Sequence, residues 1–127
     1  MKNILLSRAK QIILSFSLFA VSVILLQWGP LNIIHGRSDA PIIAAIFGGL
    51  FLLLSYLLSL KWLTLTATLG YIVTFLLGVL FNTNGVDSGG GATNNLWQIW
   101  LVSYGIFIGV SIIADIFIRY KKKKCSK

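Results

Sequence analysis

The sequence predicts an all-α membrane protein: four transmembrane helices in an antiparallel bundle, with both termini cytoplasmic. Three observations predict it. Apolar stretches of about twenty residues recur four times along the chain, and a helix rising about 1.5 Å per residue needs about 20 such residues to cross a hydrocarbon layer about 30 Å thick. Hydrophobic residues make up 57% of the chain and charged residues only 11%, whereas a water-facing surface carries about a quarter to a third charged residues. Finally, the cations gather at the ends of the apolar stretches. Lys2, Arg8, Lys10, Lys61, Arg119, the run Lys121-Lys122-Lys123-Lys124 and Lys127 fall on one side of the layer, and only Arg37 on the other. In short loops that asymmetry marks the cytoplasmic face.

The spans are expected at about residues 11–28, 42–60, 62–81 and 96–118, forming one membrane domain, with residues 119–127 as a basic cytoplasmic tail. The first span ends at Trp28-Gly29-Pro30, where an interfacial aromatic meets two helix-stopping residues. The same segment also reads as a secretory signal cleaved near Ala20-Val21-Ser22, but its apolar run continues to Trp28 and favours a retained span. The first outer connection pairs Ile33 and Ile34 with a polar Gly36-Arg37-Ser38-Asp39 turn. Ser38 or Asp39 is placed to cap the second helix, which Pro41 opens. Spans two and three meet at Lys61-Trp62 with almost no loop, so they are neighbours. The connection 82–95 holds Gly85, Asp87, Gly89-Gly90-Gly91 and several Asn and Thr residues, which predicts a flexible outer linker. The fourth span enters through Trp97 and Trp100 and leaves through Tyr120.

Lipid tails are as apolar as leucine, so helices in a bilayer associate by close backbone approach, and small residues four apart make room for it. Thr66, Gly70, Thr74 and Gly78 form such a ridge on the third span. Ala44 with Gly48, Ala45 with Gly49, and Ser55 with Ser59 give the second span small faces suited to the hairpin partner, and Gly105 with Gly109 gives the fourth a Gly-x-x-x-Gly pair. These faces serve either to pack the four helices together or, at Gly105 and Gly109, to receive a second copy or another membrane protein.

Gln11, Ser15 and Ser22 on the first span and Thr64, Thr66, Thr68 and Thr74 on the third are packing hydroxyls and amides, or else the lining of a narrow hydrated path. Asp115 is the one acid near a span. Arg119 lies four residues on, the spacing at which the two face each other on a helix, so they form an interfacial salt bridge or a polar site for a cation or proton.

The chemistry that such a chain excludes is considerable. Cys125 is the single cysteine and His35 the single histidine, so no disulfide, Cys-based metal site or catalytic triad is expected, and no cofactor. Gly89-Gly90-Gly91 lacks the Lys-Ser/Thr that completes a phosphate loop. The net charge of +8 lies at span ends and in tails, not along a groove, so nucleic acid is not an expected partner. The expected partners are the lipid bilayer, anionic lipid at the basic tail, and a second copy or another membrane protein.

The function expected is non-enzymatic, exerted through helix packing in an accessory, immunity or regulatory role. The alternative is a subunit of a small oligomeric transporter, channel or holin-like pore, with Ser15, Thr74 or Asp115 on its path. In size and span number the chain resembles the small multidrug exporters. That group relies on a glutamate in its first span, where this chain has Gln11, Ser15, Ser17, Ser22 and Gln27, so the resemblance extends to shape and not to activity. The Lys- and Ile-rich composition suggests a bacterial plasma membrane.

Overall fold

Four helices form where the apolar runs require every backbone group to be satisfied within its own segment. The computed structural model describes residues 2–29 and 39–127, in the order α1 (Lys2–Gln27), α2 (Ala40–Leu58), α3 (Lys61–Phe81), β1 (Asn84–Val86), β2 (Ala92–Asn94) and α4 (Leu96–Cys125). Each helix contains a segment long and apolar enough to cross a membrane. Pro30, Ile33, Ile34, His35, Gly36, Arg37 and Ser38 lie outside the described residues.

The structure differs from the sequence expectation in three places. The helices overrun their apolar cores: α1 begins at Lys2, and α4 carries the basic tail as a continuous helix to Cys125. Lys122, Lys123 and Lys124 occupy its last turn, where cations oppose the negative end of the helix dipole. The connection 82–95 is a two-stranded antiparallel hairpin with Asn84 opposite Asn94 and Val86 opposite Ala92, so the chain is not purely helical. Asp87 builds the turn by accepting the Gly89 and Gly91 N–H groups on Oδ1 at 2.9 and 2.7 Å, while Gly90 takes a φ of +83° that suits glycine. Asn95 closes the base of the hairpin by accepting the Thr83 N–H at 2.7 Å. Third, Asp39 occupies the N-cap position of α2, yet its side chain makes no capping bond there.

The helix α3 is the hub, packing on α1, α2 and α4, whereas among the described residues α1 and α4 have little or no contact. Its buried residues, Leu63, Ala67, Thr68, Gly70, Tyr71, Thr74, Phe75 and Gly78, cover an arc of about 160° of its circumference. The α4 surface applied to it is a single stripe of Leu96, Trp100, Tyr104, Ile108, Ser111 and Asp115, recurring every three or four residues. Contacts run in opposite sequence order along the two helices: Leu63 meets Asp115, Thr66 meets Ser111, Ala67 meets Tyr104, and Tyr71 meets Trp100.

At mid-height Tyr71 lies edge-on to Phe19 of α1 and to Trp100 and Tyr104 of α4, with ring centroids 5.3, 5.2 and 5.8 Å away. Such pairs are each worth about 0.5–1.5 kcal/mol beyond simple burial. The hydroxyl of Tyr71 donates to the Pro41 carbonyl at 3.0 Å, which ties the first turn of α2 into the same cluster.

The small-residue ridge of α3 serves this packing, but its partner is α4 rather than the hairpin neighbour α2. A Cβ on Gly78 would lie 3.0 Å from the Leu96 carbonyl oxygen and 3.4 Å from Trp100 Cβ, and one on Gly70 would meet Thr66 at 3.2 Å and Tyr104 at 3.7 Å. On α2, Ala44 and Gly48 are buried, while Ala45 and Gly49 are only half-buried. A Cβ on Gly48 would lie 2.4 Å from the Tyr104 hydroxyl and 2.7 Å from Phe19, whereas one on Gly49 meets Phe19 at an ordinary 3.9 Å. The side that carries the close approach is therefore one residue away from the Ala45–Gly49 pair.

Around this interior the surface is apolar. Leu57, Leu80, Phe81, Val102, Ile113, Ile116 and Phe117 are among many exposed large hydrophobic side chains, a surface suited to lipid rather than water. Gly78→Ala is expected to destabilise the fold by about 1–3 kcal/mol, because a backbone carbonyl stands in the way. Gly105→Ala, with open space around it, is expected to be neutral or to stabilise by up to about 1 kcal/mol. Equilibrium unfolding in mixed micelles measures both.

Candidate functional site

The tight turn between α2 and α3 supplies no side-chain cap of its own to α3. The α3 N-cap residue is Leu60, which makes no side-chain cap, and the first turn of α3 contains no acid. The last turn of α2 contains no base. Within the turn, its C-terminus closes through backbone bonds, Ser59 N–H to Tyr56 O and Leu60 N–H to Ser55 O, with Ser59 in the left-handed region at φ 54°.

The missing side-chain partners come from α4. Asp115, buried at the turn, accepts the Leu63 N–H on Oδ2 at 2.8 Å and the Trp62 N–H on Oδ1 at 3.3 Å. Those are the second and third N–H groups of α3, the ones an ordinary N-cap side chain would satisfy. One turn further along α4, Arg119 donates through Nη2 to the carbonyls of Leu58 and Ser59, the latter at 2.9 Å. An anion thus lies at the positive end of the α3 dipole and a cation at the negative end of the α2 dipole.

This arrangement corrects the expected Asp115–Arg119 salt bridge. The four-residue spacing does place both on one face of α4, but among the described residues no ion pair joins them. The peptide groups of the turn are their partners instead, because the helix ends that meet there leave N–H and C=O groups without intrahelical bonds.

Above the turn, a ladder of side-chain bonds links α4 to α3. Trp100 Nε1 donates to the Tyr71 carbonyl at 3.0 Å, and the Tyr104 hydroxyl to the Ala67 carbonyl at 2.7 Å. Ser111 donates to its own helix at Phe107 O, so Thr66 is the donor in the Thr66–Ser111 bond. Other hydroxyls also turn inward to their own helices: Ser22 to Leu18 O, Thr68 to Thr64 O, and Thr74 to Gly70 O. Thr64 bridges the hairpin by also reaching Ser55 Oγ at 2.8 Å. The hydroxyls on α3 are used for packing, and these bonds leave Thr74 no proton to present to a hydrated path.

Of the sequence-predicted site residues, Thr66, Gly70 and Gly78 come together against α4, with Thr74 buried between them and bonded to its own helix, and Asp115 and Arg119 lie against the hairpin turn. Gly105 and Gly109 are not part of either contact. A Cβ at either position would meet nothing within 4 Å. Gly105 opens into an apolar groove of about 250 Å³ between α2 and α4, lined chiefly by Ile43, Phe47, Phe51, Leu101 and Ile108. Among the described residues no group of three or more His, Cys, Asp or Glu side chains comes together. Cys125 is exposed at the end of α4.

Sequence reasoning missed Tyr71, Trp100 and Tyr104 as the polar links between helices. The signal was present in the recurrence of Trp100, Tyr104, Ser111 and Asp115 on one α4 face, which places each polar tip against the same neighbour. Comparison with known proteins returns no matching family model, no similar curated protein and no similar solved structure.

Asp115→Asn replaces one carboxylate oxygen by an amide that cannot accept, so it is expected to destabilise the bundle by about 1.5–3 kcal/mol. Arg119→Gln acts at an exposed site and is expected to cost under about 1 kcal/mol. The same unfolding titration ranks the two, and equal effects would show that the carboxylate is not the principal cap.

Proposed function

We propose that the protein is an antiparallel four-span membrane bundle, both termini cytoplasmic, that acts without catalysis by packing its α4 outer face against a second copy or another membrane protein. The observation that carries this reading is the contrast among the helical glycines. A Cβ on Gly48, Gly49, Gly70 or Gly78 would meet neighbours within the chain, whereas one on Gly105 or Gly109 would meet nothing within 4 Å among the described residues. Glycine in a helix interior is unfavourable by about 1 kcal/mol relative to alanine. Two of them one turn apart and unused by the fold suit a helix–helix contact made from outside, at the close approach that Gly-x-x-x-Gly spacing permits.

The basic distribution supports the orientation, and the Lys- and Ile-rich composition supports a bacterial plasma membrane. The helical end bearing Lys121 to Lys124 adds attraction to anionic lipid of about 1 kcal/mol per cation. An accessory, immunity or regulatory role fits a protein whose α3 hydroxyls and α4 polar tips are committed to its own helices.

Gly109→Leu tests the reading. Cross-linking in native membranes, followed by mass determination, is expected to capture a stoichiometric complex of the wild type. The variant is expected to lose at least about 1.4 kcal/mol of association, a tenfold weakening, with its unfolding curve unchanged. A wild type that stays monomeric and uncross-linked, or a variant that associates equally well, overturns it.

A further inference from the structure

On the side of the α2–α3 turn away from the Asp115 clasp, a second polar feature appears. The inner face of α1, Ile12, Ser15, Phe19, Ser22 and Leu26, packs toward the hub. Continued toward the N-terminus, the same stripe presents Gln11 and Arg8. These two, with Ser55, Tyr56, Ser59, Lys61 and Thr64 of the hairpin, line a cleft of about 90 Å³. At about 30 Å³ per water that is room for several waters, or for one phosphate-sized group.

The lining is rich in donors and lacks acids. Arg8 and Lys61 contribute two positive charges, and no carboxylate lines the cleft. Among the described residues, the side chains of Arg8, Gln11, Tyr56, Ser59 and Lys61 have no hydrogen-bond or ion-pair partner. Asp115, the nearest acid along the turn, is already engaged by the Trp62 and Leu63 N–H groups. Lys61 moreover stands in the first turn of α3, where a cation opposes the helix dipole and gains from a neighbouring anion. The cations are not merely markers of orientation: they converge.

We propose that this cleft binds the phosphate of an anionic phospholipid headgroup, held between the Arg8 guanidinium and the Lys61 ammonium. A lipid is favoured over a free ion because the cleft is bordered by Ile12 and Leu60, and the nearby outer surfaces of α1 and α2, at Phe16, Leu53 and Leu57, are apolar and exposed. Acyl chains would cover those surfaces, and inorganic phosphate would not. Basic pockets between helices at the cytoplasmic boundary recognise anionic headgroups in this way. The site is separate from the lysine run at the end of α4 and does not depend on the α4 association face.

Native mass spectrometry of the full chain, released from micelles containing phosphatidylglycerol or phosphatidylcholine, tests the proposal. The wild type is expected to retain one phosphatidylglycerol in preference to phosphatidylcholine. The double variant Arg8→Gln with Lys61→Gln is expected to weaken retention by roughly twenty-five-fold, about fivefold for each cation. Arg8→Lys should keep most of it and show that the fold is intact. Lys10→Gln, which removes a charge from α1 outside the cleft, and replacement of Lys121 to Lys124 by Gln should leave this single lipid bound. Retention that survives the double variant, or that is lost equally in the Lys10 or tail variants, overturns the site. Displacement of the lipid by excess inorganic phosphate overturns the choice of a lipid as occupant.

Discussion

A helix end leaves peptide groups without intrahelical partners, and at the α2–α3 turn no side chain of the turn itself caps those of α3. Leu58, Leu60, Lys61, Trp62 and Leu63 offer no acceptor for the α3 N–H groups. Asp115 and Arg119 therefore reach in from α4, each meeting the helix end whose dipole it complements. Once the carboxylate is fixed at the α3 N-terminus, the register of α4 on α3 is fixed with it. Ser111 then falls beside Thr66, Tyr104 beside Ala67, Trp100 beside Tyr71 and Leu96 beside Gly78. The polar ladder and the small-residue ridge are two aspects of one alignment.

That alignment also explains the choice of residues along α3. Where the surroundings are as apolar as the core, burial of leucine gives no net drive for helices to associate, and contact depends on close packing and directional bonds. Glycine at 70 and 78 lets α4 approach, and the aromatic side chains Trp100 and Tyr104 fill the space while donating to α3 carbonyls. Threonine at 68 and 74 returns its proton to its own helix and so is buried without loss. Tyr71 joins three helices because its ring faces Phe19, Trp100 and Tyr104 while its hydroxyl reaches α2.

The four helices were legible in the sequence because length and hydropathy are properties of contiguous residues. So were the Thr66–Gly78 ridge and the shared face of Asp115 and Arg119, since both follow from helical spacing. What spacing does not reveal is the neighbour on the far side of a face. Adjacency in sequence matches the ridge to α2, whereas it packs on α4. The acid and base were matched to each other, though their partners lie 52 to 61 residues earlier. On α2 the choice between Ala44–Gly48 and Ala45–Gly49 turns on a rotation of 100°, which no local pattern settled. The hairpin in 82–95 was hidden by its glycines, which suggest flexibility until Asp87 is seen to fasten two of their N–H groups.

The dependence of the α2–α3 turn on α4 has a consequence for biogenesis. During synthesis the turn emerges from the ribosome well before the residues that complete it, so its peptide groups must be held by water or by the insertion machinery in the interval. The first three helices then form a provisional assembly, and arrival of the fourth both seals the turn and sets the final register. Truncation or delay of α4 would thus leave the first N–H groups of α3 without the Asp115 carboxylate, in a chain whose earlier helices are already made.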